Sequence, residues 1–334
     1  MNFNLKKRYL LSLVLLITFI SILLLSPQLK YPPYNGKLHK LEIPLEKLDS
    51  YIASKESQFS KLKPNNEARI EWADSIRKTP YSLVYLHGFS ASQMEGDPIH
   101  REFAQRYGCN MYLSRLAGHG MNDQESFKDL TPKALVESAK EAIAIGQLLG
   151  DKVILMSTST GCTLSIYLGA KNSDAIAAHI MYSPNIDLHN KLANILAWPW
   201  GLQIGRWLEG NYRSFPATDE IAQYWTTTYR LEGVVSLRRL LNKTMKIRIF
   251  KGITQPLFVG YYYKNEEESD KTVDVEAIRR FFNATSTPSD LKVLETFPHV
   301  ATHVAPSGLQ SKDLDDVRQK TFRFAEEVLK LERM

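Results

Sequence analysis

The stretch Lys152-Val153-Ile154-Leu155-Met156-Ser157-Thr158-Ser159-Thr160-Gly161-Cys162 holds the side chain best placed for covalent chemistry. Its apolar start reads as a short buried strand, and residues 163–170 read as a packed helix. Ser159 sits at the tip of the turn between them, with small residues two before and two after, Ser157 and Gly161. That pattern is a nucleophile elbow: the turn is strained and brings strand and helix too close for larger flanks. Serine at the first flank, where glycine is usual, still fits but tolerates unusual backbone angles less well. A serine hydroxyl is a weak nucleophile and needs a neighbouring imidazole to take its proton. The competing reading is a serine-rich turn that caps a helix, with Ser159 or Thr158 as N-cap.

The elements around this turn alternate. Residues 68–72 and 81–86 read as strands, the second running into His87-Gly88-Phe89-Ser90. A helix over 99–107 precedes a strand over 110–116, which leads to Gly118-His119-Gly120. Helical periodicity is clear over 132–149, with Ala134, Leu135, Ala139, Ala142, Ile143 and Leu148 on one side. After the elbow, 175–182 reads as another apolar strand. Strands alternating with helices imply a parallel sheet covered by helices.

The order Leu86-His87-Gly88-Phe89, then Arg115-Leu116-Ala117-Gly118-His119-Gly120, then the Ser159 elbow resembles the α/β-hydrolase superfamily. It is similar above all to the monoacylglycerol-lipase and carboxylesterase-like branch, over roughly residues 70–329. The resemblance implies an α/β-hydrolase fold with an inserted helical cap, and a serine–acid–histidine order along the chain. It implies an oxyanion hole from the backbone N–H groups of Phe89 and Thr160. His119 has no catalytic role in that branch. The acid should follow a late strand, which 256–263 supplies. Asp270, two residues before Thr272-Val273 and ahead of a helix over 275–282, resembles the family's acid. Its competitors are Glu266, Glu267, Glu268 and Asp274, the last also a candidate helix cap, and more remotely Asp187. The base should follow the last strand, 291–297. His303 sits where the family places it, ahead of a helix over 314–329, and His299 is the alternative. No cofactor and no metal are implied.

The division expected from this is 66–185 and 252–334 for the two parts of the hydrolase core, and 186–251 for the cap. The cap stretch holds Trp198, Trp200, Trp207 and Trp225, which suit an apolar acyl chain or simply pack on the core. Residues 31–65 read as a polar tether in which Leu45, Leu48, Ile52 and Phe59 form an amphipathic helix. In residues 1–30, Lys6-Lys7-Arg8 precede the uncharged run 9–25, without a small-x-small cleavage site after it. This reads as an N-terminal transmembrane signal anchor with the body on the extracytoplasmic side, or else a cleaved signal peptide and a secreted or periplasmic protein.

With 44% hydrophobic and 23% charged residues, the 334-residue chain is an ordinary globular one, which excludes disorder. Its net charge of +6 is not clustered like a nucleic-acid footprint, and the basic run 230–251 reads as a solvated helix face. Cys109 and Cys162, both in apolar contexts, read as buried thiols. Together these features point to a serine hydrolase of carboxylic esters, with a small-molecule or lipid-like ester as substrate. An acyltransferase, amidase or peptidase would use the same triad. A non-catalytic binding protein on the same fold is the alternative outside enzymes.

Overall fold

The computed structural model describes residues 3–26, 29 and 31–334. In chain order it has α1 (Phe3–Leu24), α2 (Leu48–Glu56), β1 (Arg69–Glu71), β2 (Thr79–Leu86), α3 (Ile99–Arg106), β3 (Asn110–Leu113), α4 (Pro132–Leu149), β4 (Gly150–Thr158), α5 (Thr160–Gly169) and β5 (Ala178–Tyr182). Then come α6 (Gly201–Glu209), β6 (Tyr212–Ser214), α7 (Asp219–Tyr224), β7 (Thr228–Arg230), α8 (Leu231–Thr244) and α9 (Ile247–Phe250). The chain closes with β8 (Leu257–Tyr261), α10 (Val275–Ala284), β9 (Lys292–Thr296) and α11 (Leu314–Glu327).

Seven strands form one sheet in the order β1-β3-β2-β4-β5-β8-β9. Every pairing is parallel except that of β1 with β3. Helices cover both faces, so the central strands are apolar on both sides. On β2, Val84 and Leu86 face α4 and α5, while Leu83 and Tyr85 face α3 and α11. The chain steps outward from β2 to β3 and then returns to place β4 on the other side of β2. The carboxyl ends of β2 and β4 thereby become neighbours, with Leu86 beside Ser157. In open α/β sheets such a reversal is where ligands bind.

The sequence carries β3 to Leu116, whereas the strand ends at Leu113. The N–H of Leu116 donates to His87 Nε2 at 3.0 Å instead of continuing the ladder. The helix over 132–149 begins as its sequence predicts, with Pro132 in the first turn and Thr131 Oγ1 accepting from the Ala134 N–H at 3.1 Å. α2 docks by Leu48 and Ile52, both buried, and Glu56 at its end forms an ion pair with Arg115 in which both side chains are largely shielded.

Two expectations need correction. The basic stretch over 230–251 is solvated only in its second part, where Lys243, Lys246, Arg248 and Lys251 are exposed; its first part, with most of α8, is buried. Arg230 pairs with Glu125 and Glu232, and Arg238 with Asp187. The N-terminal run does form a helix, α1, but among the described residues no helix is long and apolar enough to cross a membrane. Lys6, Lys7 and Arg8 lie within α1 and leave residues 9–24 as its longest uncharged run. At ~1.5 Å rise per residue that span is about 24 Å, short of a hydrocarbon core of ~30 Å. The expected transmembrane anchor, and the membrane contact it would make, therefore fall away. Two residues just after α1 touch the stretch 196–235: Trp200 N–H donates to Ser26 Oγ at 2.7 Å, and Leu29 packs beside Leu202 and Leu231.

Helix and sheet come closest at Gly161. A Cβ there would lie 1.9 Å from the Leu86 carbonyl oxygen and 2.9 Å from that of His87. Both obstacles are backbone, so neither can swing aside. Gly161→Ala should destabilise the fold by at least about 1–3 kcal/mol, read as a lowered midpoint in urea unfolding. A midpoint equal to that of the parent protein would contradict this packing.

Candidate active site

Ser159 stands between β4 and α5 with φ 52° and ψ −114°, a conformation that non-glycine residues avoid. Backbone hydrogen bonds hold it there. Its N–H donates to Tyr182 O at 2.9 Å, and its carbonyl accepts from Cys162 N at 3.0 Å, Asn185 N at 3.1 Å and Thr163 N at 3.3 Å. Although Ser159 occupies the N-cap position of α5, its side chain makes no capping hydrogen bond. The competing reading as a helix cap thus fails at the hydroxyl, and Ser159 lines a cavity instead.

Asp270 follows β8 and is buried. Its Oδ1 accepts from the N–H groups of Thr272 and Val273, at 2.8 and 3.3 Å. Its Oδ2 accepts from His303 Nδ1 at 2.6 Å. An Nδ1–H donor leaves Nε2 as the basic nitrogen, and this atom is buried with no hydrogen-bond partner among the described residues. Ser159 and His303 line the same cavity. Burial alone would push the His303 pKa down, but the Asp270 charge and hydrogen bond, with a smaller contribution from Glu95, raise it above the usual 6.5. For Asp270, burial pushes upward and is outweighed by His303 and the two amides, leaving the carboxyl below its ordinary value.

The sequence alternatives lie elsewhere. His299 is exposed at the surface. Asp274 caps α10, accepting from the Ala277 N–H at 3.0 Å. Asp187 pairs with Lys191 and Arg238. Glu266, Glu267 and Glu268 sit in an exposed loop. His119 is buried against His87, Phe89 and Phe127, well away from a proton-transfer role, and burial holds its pKa far below the usual value.

Next to the elbow runs the loop after β2. His87 Nδ1 donates to the Gly88 carbonyl at 2.9 Å while Nε2 accepts from Leu116, so both ring nitrogens are committed to backbone. Burial pushes its pKa down to about 4, which keeps it neutral. The Phe89 ring packs against Phe127 and Tyr229 at 4.8 and 5.4 Å, which ties the loop to β7 of the cap. Thr160 is the first residue of α5, where backbone N–H groups lack helical partners. Among the described residues, neither the Phe89 nor the Thr160 N–H has a backbone partner. Thr160 follows Ser159 in the chain, and Phe89 lines the same cavity as Ser159.

The cavity above these groups has a volume of about 690 Å³. Its walls are mainly aliphatic, among them Leu188, Leu196, Ile204, Leu231, Val234 and Leu237, with Phe215, Trp225 and Tyr229 as the cap's aromatic contribution. Of the four cap tryptophans only Trp225 lines it. Trp198 and Trp207 are 63% and 83% exposed, and Trp200 donates from Nε1 to the Ile22 carbonyl.

Several charged groups that line the cavity escaped the sequence, Glu209, Arg213 and Lys271 near its surface and Glu95 inside. Glu95, in the short helical turn Gln93–Gly96, is buried and lines the cavity with Ser159 and His303. The available signal was weak: it is the only charge between Gly88 and Asp97.

No protein-family model and no curated protein matches the chain. Its fold nevertheless recurs in solved structures. One of the metagenome-derived lipolytic enzymes LipS and LipT superposes with a TM-score of 0.65 at 13% identity, over 79% of this chain and 98% of that one. The monoacylglycerol lipase of Paleococcus ferrophilus gives 0.56 at 12% identity, over 77% and 96%. The enol-lactonase of Burkholderia xenovorans LB400 gives 0.52 at 14% identity, over 78% and 96%. The fold is that of the α/β-hydrolases.

The geometry makes the titration of His303 dependent on Asp270. The His303 imidazole should titrate above 6.5 by NMR, and Asp270→Asn should lower that value by about one unit or more. An unchanged titration would show that the pair does not interact in solution.

Proposed function

We propose that the protein is a serine hydrolase of carboxylic esters with apolar acyl chains, working through Ser159, His303 and Asp270 and an acyl-enzyme intermediate. The observation that carries this reading is the Asp270–His303 hydrogen bond, which leaves Nε2 free beside the cavity that Ser159 shares. Lipolytic enzymes and esterases among the structures of like fold support it.

In this mechanism Ser159 Oγ attacks the ester carbonyl carbon as His303 Nε2 takes its proton. Asp270 holds the imidazole in the Nδ1–H tautomer and stabilises the imidazolium. The carbonyl oxygen becomes an oxyanion between the N–H groups of Phe89 and Thr160. Collapse breaks the ester C–O bond, and His303 returns the proton to the leaving alcohol. Water then attacks the acyl-Ser159 ester by the same steps, releasing the acid and restoring the serine. The aliphatic walls take the acyl chain, because burying each methylene there is worth about 0.8 kcal/mol.

Hydrolysis of p-nitrophenyl esters from acetyl to long acyl chains tests the reading. Ser159→Ala and His303→Ala should abolish turnover, and Asp270→Asn should lower kcat about 10²–10⁴-fold. A folded parent protein that neither turns over esters nor reacts with a fluorophosphonate would overturn it in favour of a binding protein. Added alcohols competing with water for the acyl group would make it an acyltransferase.

The cavity wall gives a separate expectation. Val234→Trp and Leu237→Trp should shift preference toward shorter acyl chains, with kcat/KM for the longest falling about ten-fold or more. Trp207→Ala, at an exposed position, should leave the chain-length profile as it was. Loss of long-chain turnover in Trp207→Ala alone would place the acyl chain elsewhere.

A further inference from the structure

Glu95 is a buried carboxyl group that lines the same cavity as Ser159 and His303. Its Oε2 accepts from the Gly88 N–H at 2.6 Å and, more distantly, from the Tyr85 hydroxyl at 3.4 Å. Tyr85 is itself fixed from β2 by a 2.9 Å hydrogen bond to Thr158 Oγ1, one residue before the elbow. Oε1 lies against the Cα of Gly88: a Cβ built there would meet Oε1 at 2.7 Å and Ser159 Cβ at 3.0 Å. The carboxyl and the nucleophilic residue thus flank the same glycine. Burying a carboxyl group this completely is costly unless it is paired, and among the described residues no cationic side chain is bound to Glu95. The titratable base facing it is His303.

We propose that Glu95 is a positioning residue of this site: its carboxyl anchors, through the Gly88 amide, the loop that presents the Phe89 N–H, and its charge acts on His303 across the cavity. The inference rests on the ester-hydrolase reading above. The anchoring follows from connectivity, since the amide that Glu95 holds is one peptide unit before the Phe89 N–H. An oxyanion donor displaced by a fraction of an ångström loses much of its effect, because its value lies in being aimed before the oxyanion forms.

The electrostatic part depends on which neighbours carry charge. Glu95 is faced by Tyr85 from β2, Cys162 from α5 and His303 from the loop after β9, with Asp270 behind His303 and His100 of α3 packed on Tyr85. Burial pushes the Tyr85 hydroxyl and the Cys162 thiol up, and the His100 imidazole down to about 3, so all three are neutral near pH 7. The charges that remain are those of Glu95, His303 and Asp270. Burial raises the Glu95 carboxyl to about 7, against the opposing pull of the Gly88 N–H and His303. Its ionised form favours protonated His303, which is not the form that takes the serine proton. Removing that charge lets neutral His303 persist to lower pH.

The test is the pH profile of kcat and kcat/KM for a short-chain p-nitrophenyl ester, on the full chain and on Glu95→Gln and Glu95→Ala. Glutamine keeps an acceptor for the Gly88 N–H but never ionises. Its plateau kcat should stay within about three-fold of the parent, while its acid limb moves to lower pH by about half a unit or more. Alanine loses the anchor as well, so its plateau kcat should fall about ten-fold or more with KM changed less than about three-fold. An acid limb that stays put in Glu95→Gln overturns the proposal, even if Glu95→Ala does not fold. So does a folded Glu95→Ala that keeps the parent's plateau. Parent protein without turnover or fluorophosphonate labelling would remove the hydrolase reading, and the role of Glu95 with it. Normal parent turnover with unresponsive variants would remove the role alone.

Discussion

The whole site depends on one close approach, that of α5 to the end of β2 at Gly161. A helix axis can come this near a strand only where no Cβ intervenes, and the Leu86 and His87 carbonyls leave no room for one. Because α5 sits so close, Ser159 must turn sharply between β4 and α5 and take a positive φ. Such a residue costs about 1–3 kcal/mol and persists only where its surroundings over-determine it. Here the Tyr182 carbonyl and the Cys162 and Asn185 amides do so. The same approach brings the start of α5 beside the loop after β2, so the serine's conformation and its closeness to that loop are products of a single packing constraint.

Around that constraint the protein has buried several ionisable groups and arranged them to different ends. His87 and His119 are held neutral by burial, and their Nδ1 atoms are spent on backbone carbonyls. His303 is half-buried, with Nε2 shielded from solvent, yet its pKa moves the other way because Asp270 meets it at 2.6 Å. The contrast is physical and local: desolvation acts on all three imidazoles, and only one has a carboxylate to reverse it. The two buried carboxyl groups diverge in the same fashion. Asp270 has an imidazole and two amides and remains ionised, whereas Glu95 has one amide and a distant hydroxyl and rises toward neutrality.

The cap completes the site by closing apolar surface over it. It is fastened to the core at the loop beside the candidate site: the Thr226 N–H donates to the Ser90 carbonyl at 2.7 Å, and Tyr229 packs on Phe89. Its tryptophans, conspicuous in the sequence, mostly lie outside the cavity. The aliphatic part of the cavity wall is leucine, isoleucine and valine, side chains that look like ordinary core when only their order along the chain is known.

The sequence by itself determined the strands and helices of the sheet region, because hydrophobic periodicity and Gly and Pro punctuation are local signals. It also determined the elbow, whose small flanks at Ser157 and Gly161 are legible as spacing. It misjudged α1, where an uncharged run was visible but the helical rise left it too short, and the first part of the basic stretch 230–251, where Arg230 and Arg238 are paired inside. What only the tertiary structure decided is which distant groups meet. His299 and His303 are four residues apart on one loop, and the chain's path turns one outward and the other onto Asp270. Asp270 differs from its acidic neighbours by being buried, which depends on β5, β8 and α10 packing together. Glu95 is an inconspicuous loop residue until β2 and β4 are set side by side. Secondary structure follows from neighbours in sequence, whereas burial, and with it every perturbed charge in this site, follows from neighbours in space.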